Sequence, residues 1–201
     1  MPMKNDHKGN MHDHHQHGGF STQGSFDVKK ILELAGIEKG HHILDAGCGD
    51  GYISILMSRI VGPNGRIYAF DSHETSVNIL EKRLEYMKIS NVSAERRNIA
   101  EELPLEDDSL DMVIASNVIH GLILNGEMEG FVENLERKMK EGSTLALVEY
   151  KKELTGKGPA PSERFSPDEI GEYLKRANLF PEMVMDVSPH HYLALFGKRY
   201  A

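Results

Sequence analysis

Three glycines that alternate with other residues follow a short apolar run and carry the clearest chemical signal in the chain. Residues 43–46 form the run, and Gly47, Gly49 and Gly51 come directly after it, ahead of an amphipathic pattern. Glycines at this spacing permit the positive φ angles of a tight strand-to-helix turn and let a ligand approach the backbone. The next helix would direct its free N–H groups toward that ligand. The pattern predicts a cofactor-binding loop; a turn without a ligand is the alternative.

The spacing of the glycines separates two classes of cofactor. The dinucleotide fingerprint is G-x-G-x-x-G, whereas this loop is G-x-G-x-G and is followed by Tyr52. Asp45, two residues before the first glycine, would repel a pyrophosphate and would suit a cationic ligand. Both observations favour a positively charged cofactor over NAD.

A second acid follows at the distance that α/β nucleotide sites use. The β-rich run of residues 66–70 ends in Asp71 and Ser72, about 20 residues after the glycine loop. The two oxygens of one carboxylate can accept both vicinal hydroxyls of a ribose. A solvated acid or a helix N-cap is the alternative interpretation of Asp71.

Beyond residue 25 the hydrophobic patterns alternate between strand and helix, which predicts a parallel sheet with helices on both faces. Helices are expected over residues 27–35, after the glycine loop, over 77–87, over 128–139 and from Ser166, where a capping pattern begins. Strands are expected at 43–46, 66–70, 90–96, 110–115 and 144–148. The last two β-like runs, 183–187 and 192–196, predict a hairpin.

The glycine loop, the acid before it and the Asp71-Ser72 pair together resemble the first motifs of the class I S-adenosylmethionine-dependent methyltransferases. The resemblance covers residues 26–199. It implies an α/β fold, a Rossmann-like doubly wound seven-stranded sheet that is mostly parallel with an antiparallel last strand. In that family the first acid faces the amino-acid end of the cofactor, the glycines admit the ribose and sulfonium, and the second acid binds the ribose. The cofactor contacts so implied are Asp45, Gly47, Gly49, Gly51, Asp71 and Ser72.

Residues 97–105 resemble the family's adenine-binding loop, commonly G-D-A-E-x-L-P. There an aspartate accepts a hydrogen bond from the adenine amino group and the next backbone N–H meets the ring. Aligned on the shared Leu-Pro, Ile99 stands at the aspartate position and Asn98 at the glycine position. Isoleucine can pack against adenine but accepts no hydrogen bond. Selectivity for adenine is therefore expected from backbone groups around Ile99 and Ala100, or from compensation by Asn98.

The end of the fourth predicted strand is similar to the family's segment that leads toward the transferred methyl group. We expect Ser116 to contact the cofactor there. The prolines of N-P-P-Y, typical of enzymes that methylate amide or adenine nitrogens, are absent. His120 is the best candidate for a general base or a substrate-positioning group, since an imidazole titrates near neutrality. A buried structural histidine is the alternative, and no metal site is predicted.

Further candidates lie near the end of the fifth strand and in the C-terminal turn. Glu149 and Tyr150 fall at the sheet edge where open α/β proteins bind ligands. Arg164 ends a loop that could cover a substrate, and its guanidinium could pair a substrate carboxylate or form a surface salt bridge. His190 and His191 are predicted in the terminal turn, on the surface.

Composition bounds the functions that these motifs can serve. A chain of 201 residues suits one domain, and its net charge of −8 disfavours nucleic acid as a partner. The sequence shows no apolar run of about 20 residues that would span a membrane and no apolar signal segment, so we expect a cytoplasmic protein without a membrane partner. Cys48 is the single cysteine, which excludes a disulfide framework. We predict that its side chain is a small buried group that fills space in the core. The oligomeric state stays open.

The first 25 residues differ in composition from the rest of the chain. They are polar and carry five histidines before residue 18, namely His7, His12, His14, His15 and His17. Such a segment has too little apolar content to pack, and we predict a disordered tail. Imidazoles in it could bind zinc, nickel or copper, but a flexible segment lacks the fixed geometry of a dedicated site.

The sequence therefore predicts an S-adenosylmethionine-dependent methyltransferase that acts on a small-molecule acceptor. Catalysis would come mainly from alignment of donor and acceptor in a dry site. A NAD-dependent oxidoreductase is disfavoured by the glycine spacing. A non-catalytic module that binds S-adenosylmethionine or a metal stays open, because Ile99 replaces the adenine-binding acid.

Overall fold

The computed structural model describes residues 23–153 and 156–200. The helices are α1 (Val28–Leu34), α2 (Tyr52–Val61), α3 (Glu74–Met87), α4 (Ile119–Leu124), α5 (Met128–Lys138) and α6 (Pro167–Leu174). The strands are β1 (His42–Ala46), β2 (Arg66–Asp71), β3 (Val92–Arg96), β4 (Leu110–Ser116), β5 (Met139–Tyr150), β6 (Leu179–Asp186) and β7 (His191–Lys198). Two short 3₁₀ segments, Pro161–Glu163 and Lys175–Ala177, flank α6.

The strands form one seven-stranded sheet in the order β3-β2-β1-β4-β5-β7-β6. Strands β1 to β5 pair in parallel, and β7 runs antiparallel to both of its neighbours, β5 and β6. This arrangement confirms the predicted fold class and the terminal hairpin. Strand β1 lies between β2 and β4, so the strand order reverses there. Open α/β sheets bind ligands at the carboxyl ends of the strands beside such a reversal.

Apolar side chains cover both faces of the sheet. Helices α1, α2 and α3 pack on one face, with Met57 and Leu80 fully buried, whereas α5 and α6 cover the other with Phe131 and Ile170. Strands covered on both faces read as continuous apolar runs, which explains the pattern in β1 and β4. Each such buried side chain stabilises the fold by about 1.5–3 kcal/mol.

Local sequence signals account for the helix starts. Ser166 caps α6 because its hydroxyl accepts the amide of Glu169, whose carboxylate accepts the amide of Ser166 in return. Asp27 caps α1 through the amide of Lys30. These reciprocal bonds satisfy N–H groups that have no partner inside the helix. The predicted capping pattern at Ser166 is confirmed.

The structure departs from the predicted elements in β5 and in α4. Met139, predicted at the end of a helix, is the first residue of β5, which is longer than expected and carries Gly142 at φ +75°. Helix α4 was not predicted, because its six residues are almost all apolar or small and show no helical period. Most of the predicted tail, residues 1–22, lies outside the described residues, so its disorder stays a prediction.

Within those described ranges, no helix combines the length and apolar character needed to cross a bilayer. Cys48 is buried in the glycine loop, as predicted for a filler, and burial raises the pKa of its thiol well above the usual value.

Candidate active site

Backbone hydrogen bonds to β2 build the glycine loop between β1 and α2. The amides of Gly47 and Cys48 both donate to the carbonyl of Phe70, at 2.8 and 3.0 Å. Gly47, Gly49 and Gly51 have φ angles of +75°, +53° and +79°, a region that favours glycine. The predicted strand-to-helix turn is confirmed.

Two of these glycines also lie where a side chain would not fit. A Cβ atom on Gly47 would stand 2.2 Å from Cγ2 of Val118, and one on Gly51 would stand 2.1 Å from Cδ1 of Leu80. Val118 follows β4, so the close approach at Gly47 brings the carboxyl ends of β1 and β4 together. The site residues of both strands therefore lie at one edge of the sheet, the edge formed by the carboxyl ends of its parallel strands.

Asp71 connects the glycine loop to the end of β2. Its Oδ2 accepts the amide of Gly49 at 2.8 Å, and its Oδ1 accepts the amide of His73 at 2.8 Å. Each carboxylate oxygen keeps a second lone pair, so the partly exposed group can also accept hydroxyls of a ligand. The exposed Ser72 lies beside it, and the Ser72 carbonyl accepts Nε of Arg96 at 3.2 Å.

Asp45 lies beneath the loop and is 1% exposed. Its carboxyl group accepts the hydroxyl of Ser54 at 2.5 Å. Burial raises the pKa of Asp45 to about 7; the Ser54 bond opposes this rise and the nearby charge of Asp71 adds to it. A cation bound near the loop would favour the ionised form. Because it is buried, Asp45 could reach a ligand at the loop through its charge and not through direct contact.

Of the two residues expected near adenine, Ile99 is buried and Ala100 is only partly buried. The side chain of Ile99 belongs to the core beneath β4, and its carbonyl accepts Nδ2 of Asn134 at 3.1 Å. The amide of Ala100, which we expected to meet the adenine ring, donates to Oδ1 of Asn98 at 3.0 Å. Asn98 itself donates to Glu127 at 2.9 Å. Asn98 is thus the polar side chain at this position of the edge.

Two acceptor atoms at the end of β4 are buried without a hydrogen-bond partner. They are Oγ of Ser116 and Oδ1 of Asn117. Asn117 has φ +56°, which is uncommon for a side-chain-bearing residue, and its amide donates to Val148 at 2.8 Å. A buried polar group left without a partner costs about 1–3 kcal/mol, and a donor from a ligand would relieve this cost. Ser116 was predicted here; Asn117 was missed, and the signal that could have found it is its residue type directly after a strand, since asparagine is enriched at positive φ.

His120 and Glu149 form a buried pair across the ends of β4 and β5. Nδ1 of His120 lies 2.9 Å from Oε2 of Glu149, and Oε1 of Glu149 accepts the amide of Ile119 at 2.7 Å. Both side chains are almost fully buried. The carboxylate therefore fixes the imidazole ring and holds a proton on Nδ1.

The pKa of His120 lies above its ordinary value of 6.5. Burial alone would lower this pKa, but the hydrogen bond and the negative charge of Glu149 outweigh burial; Glu163 raises it further and Arg164 lowers it slightly. This balance suits a group that accepts a proton near neutral pH. The prediction of His120 as a base stays open, while its burial and its partner are established.

Arg164 is neither a surface residue nor placed for a substrate carboxylate. It is 3% exposed, and its guanidinium donates to the carbonyls of Lys151, Glu153, Lys157 and Pro159. Both predicted alternatives for Arg164 are therefore wrong. Its five rigid donors suit a cluster of carbonyls, and Arg164 organises the loop after β5.

His191 was predicted on the surface and is instead 2% exposed, as the first residue of β7. It lies opposite Tyr150 in the antiparallel pair with β5. Burial lowers the pKa of His191 to about 4. Its Nε2 has no hydrogen-bond partner. No local pattern could show this burial, because it results from the insertion of β7 between β5 and β6.

The edge thus brings together most of the predicted site residues and suits a ribose-bearing cation. It offers carboxylates and unpartnered oxygen acceptors, which match hydroxyl and ammonium donors. In the described part of the chain no group of three or more His, Cys, Asp or Glu side chains is placed to hold a metal ion.

Comparison with known proteins agrees with this fold. Residues 37–178 match the model of a family described as a methyltransferase domain. A solved S-adenosylmethionine-dependent methyltransferase from Aquifex aeolicus is 30% identical, with a TM-score of 0.77 over 85% of this chain and 89% of that one. Geranyl diphosphate C-methyltransferase from Streptomyces coelicolor shares the fold, with a TM-score of 0.72 over 85% of this chain and 79% of that one at 13% identity.

Curated relatives include quinone-biosynthesis enzymes. The ubiquinone/menaquinone biosynthesis C-methyltransferase UbiE of Pasteurella multocida is 29% identical over 134 residues, which are 64% of this chain and 48% of that protein. Demethylmenaquinone methyltransferase of Listeria welshimeri is 28% identical over 121 residues, 60% of this chain and 50% of that protein. The chain spans about half the length of these relatives. By the matched family model and the Aquifex aeolicus structure, it belongs to the methyltransferase-domain family of class I S-adenosylmethionine-dependent methyltransferases.

Proposed function

We propose that the protein transfers a methyl group from S-adenosylmethionine to a small-molecule acceptor that must lose a proton in the reaction. The observation that carries this proposal is the buried pair of His120 and Glu149, 2.9 Å apart at the edge that also holds the glycine loop. A methyltransferase that only aligns its two substrates needs no such pair. A held imidazole with a raised pKa suits proton removal from the acceptor.

The proposed cofactor contacts follow from the chemistry of the edge. Asp71, with Ser72 beside it, would receive the ribose hydroxyls above Gly47, Gly49 and Gly51. The oxygens of Ser116 and Asn117 would receive the ammonium group, under the field of the Asp45 carboxylate. Adenine would lie toward Ile99, Ala100 and Asn98. When bound, S-adenosylmethionine supplies a methyl group on a sulfonium, whose sulfur is already a good leaving group.

Glu149 determines which nitrogen of His120 can take the proton. One carboxylate oxygen is bound to the amide of Ile119, and the other holds Nδ1. The proton removed from the acceptor would therefore go to Nε2. The positive charge that develops on the ring is stabilised by the adjacent carboxylate. Between turnovers the imidazolium returns the proton to water.

We infer that the acceptor is a small phenol or quinol. Two of the curated relatives are named for ubiquinone, menaquinone or demethylmenaquinone, and ionisation of a phenolic hydroxyl activates both the oxygen and the ring carbons for methylation. The net charge of −8 disfavours nucleic acid. The predicted cytoplasmic location belongs to the same proposal and is tested by cell fractionation.

Transfer of a labelled methyl group from S-adenosylmethionine to naphthohydroquinone tests the proposal. We expect labelled product with the wild-type chain, a rate about 100-fold lower in His120→Gln, and affinity for S-adenosylhomocysteine within about twofold of wild type. His41→Gln is the matched control, because His41 lies at the opposite end of β1.

Equal rates in His120→Gln and wild type would refute the role of His120. Cofactor binding without methylation of any phenol or quinol in a panel would favour the non-catalytic module instead.

A further inference from the structure

The imidazole of His191 carries its proton on Nε2. Oγ of Ser188 accepts the amides of His190 and His191 at 3.1 and 3.0 Å and lies 3.0 Å from Nδ1 of His191. A hydroxyl oxygen has two lone pairs and one proton. Both lone pairs are used by the amides, so the hydroxyl proton is donated to Nδ1. A neutral imidazole that accepts at Nδ1 is protonated at Nε2.

This Nε2–H group is a buried donor without a partner. The pKa of about 4 keeps the ring neutral at physiological pH, so the tautomer does not change there. Most buried donors in proteins are paired, and an exception calls for an explanation. An acceptor atom from a ligand or an ordered water would supply the missing bond.

The surroundings of His191 connect it to the proposed reaction centre. Its ring lies 4.1 Å from the ring of Tyr150 and 5.1 Å from that of Phe26. Tyr150 directly follows Glu149, the partner of His120, so the two side chains leave opposite faces of β5 at the same edge of the sheet. His191 pairs with Tyr150 at that edge. Both rings pack against the imidazole and hold it in place, and its Nε2–H is the group left to meet an oxygen of a ligand.

We propose that Nε2–H of His191 donates a hydrogen bond to an oxygen of the methyl acceptor and so selects oxygen-bearing rings. This subsite rests on the proposed function above. It adds a binding residue on β7 that differs in role from His120, because His191 stays neutral and donates, whereas His120 takes up a proton. An acceptor without an oxygen would leave the buried donor unpaired and would bind more weakly.

Equilibrium binding of naphthohydroquinone, measured by calorimetry under argon with saturating S-adenosylhomocysteine, tests the subsite without turnover. In His191→Gln the side-chain amide can reproduce the donor at the Nε2 position. In His191→Asn the amide can reach Ser188 but supplies no donor at that position. We expect wild-type affinity within about threefold in the glutamine variant and about 10-fold weaker binding in the asparagine variant. Naphthalene should bind weakly and equally to all three proteins.

The outcomes separate the subsite from the proposed function. Equal binding of naphthohydroquinone to wild type and His191→Asn, or no binding to wild type, would overturn the subsite, and an ordered water would then be the partner of Nε2. Weaker binding in the asparagine variant together with no methylation of any phenol or quinol would keep the subsite and overturn the proposed reaction. Unchanged affinity for S-adenosylhomocysteine confirms that each variant is folded.

Discussion

The two halves of the ligand-binding edge differ in how their polar groups are satisfied. At the ends of β1 and β2, the carboxylate of Asp71 and the amides of Gly47 and Gly49 are bonded to neighbours within the protein. At the end of β4 and the start of β7, the side chains of Asn117 and His191 keep buried atoms without a partner. The polar groups of the first half are satisfied within the protein, whereas we propose that ligands complete the second half.

Because of this difference, we expect the first half to control cofactor affinity and the second half to control turnover and acceptor binding. Because the first half holds its shape by internal bonds, changes there should alter cofactor affinity through the shape of the loop. Changes at the ends of β5 and β7 should alter turnover or acceptor binding and leave cofactor affinity intact.

Replacement of Glu149 by glutamine should give the largest loss of activity. The amide oxygen is needed by the N–H of Ile119, so the NH₂ group would face Nδ1 of His120 and force the proton onto Nε2. His120 would then be in the wrong tautomer to act as a base, and the rate should fall about 10³-fold. Transfer of labelled methyl to naphthohydroquinone measures this effect, and nitrogen NMR of His120 reports the tautomer.

The pH profile gives an independent check on the same pair. Only neutral His120 accepts a proton, so the wild-type rate should rise with pH through a pKa above 6.5, the direction set by Glu149. A rate that does not change with pH across this range would refute the role of His120 as a base. A Glu149→Gln variant as active as wild type would refute it as well.

Gly47→Ala should weaken cofactor binding by about 100-fold, because the new Cβ would stand 2.2 Å from Val118 at a positive φ. Gly142→Ala is the matched control. Gly142 has the same φ of +75° but open space around its Cβ position, so it reports the strain alone. Calorimetric titration with S-adenosylhomocysteine compares the two. Equal affinity losses would show that the close approach of β1 and β4 does not matter.

Asp71→Asn should weaken binding of S-adenosylhomocysteine by about 10- to 100-fold, since charge-assisted bonds to the ribose contribute about 1.5–3 kcal/mol. Asp111→Asn serves as the control, because Asp111 also accepts a backbone amide, that of His42 at 2.8 Å, but at the opposite edge of the sheet. The same titration measures both variants. If Asp71→Asn binds as tightly as Asp111→Asn, the ribose assignment fails.

Asp45→Asn should have the smallest effect, on the pH dependence of binding. The carboxyl is about half ionised at pH 7 in the free protein, and a cationic ligand lowers its pKa. Binding therefore releases a proton, and wild-type affinity should rise about three- to tenfold from below pH 7 to above it. The asparagine variant should lose this slope in calorimetry at several pH values. A slope retained in the variant would assign the proton to another group.

Local patterns predicted the first half of the edge and missed much of the second. The positive φ angles of the glycine loop and the acid at the end of β2 are each encoded by a short local pattern. The pairing of His120 with Glu149 joins residues far apart in the sequence through the register of β4 and β5. The burial of His191 and of Arg164 depends on the order β5-β7-β6 and on the path of the loop before α6, which no local periodicity contains.

Calorimetric titration of the full chain with S-adenosylmethionine, S-adenosylhomocysteine and NAD, each without any acceptor, tests whether the edge is a preformed site for S-adenosylmethionine. We expect both sulfur compounds to bind with dissociation constants on the order of micromolar and NAD not to bind, because the first half of the edge is already built. Failure of the sulfur compounds to bind until an acceptor is present, or equal binding of NAD, would contradict this expectation.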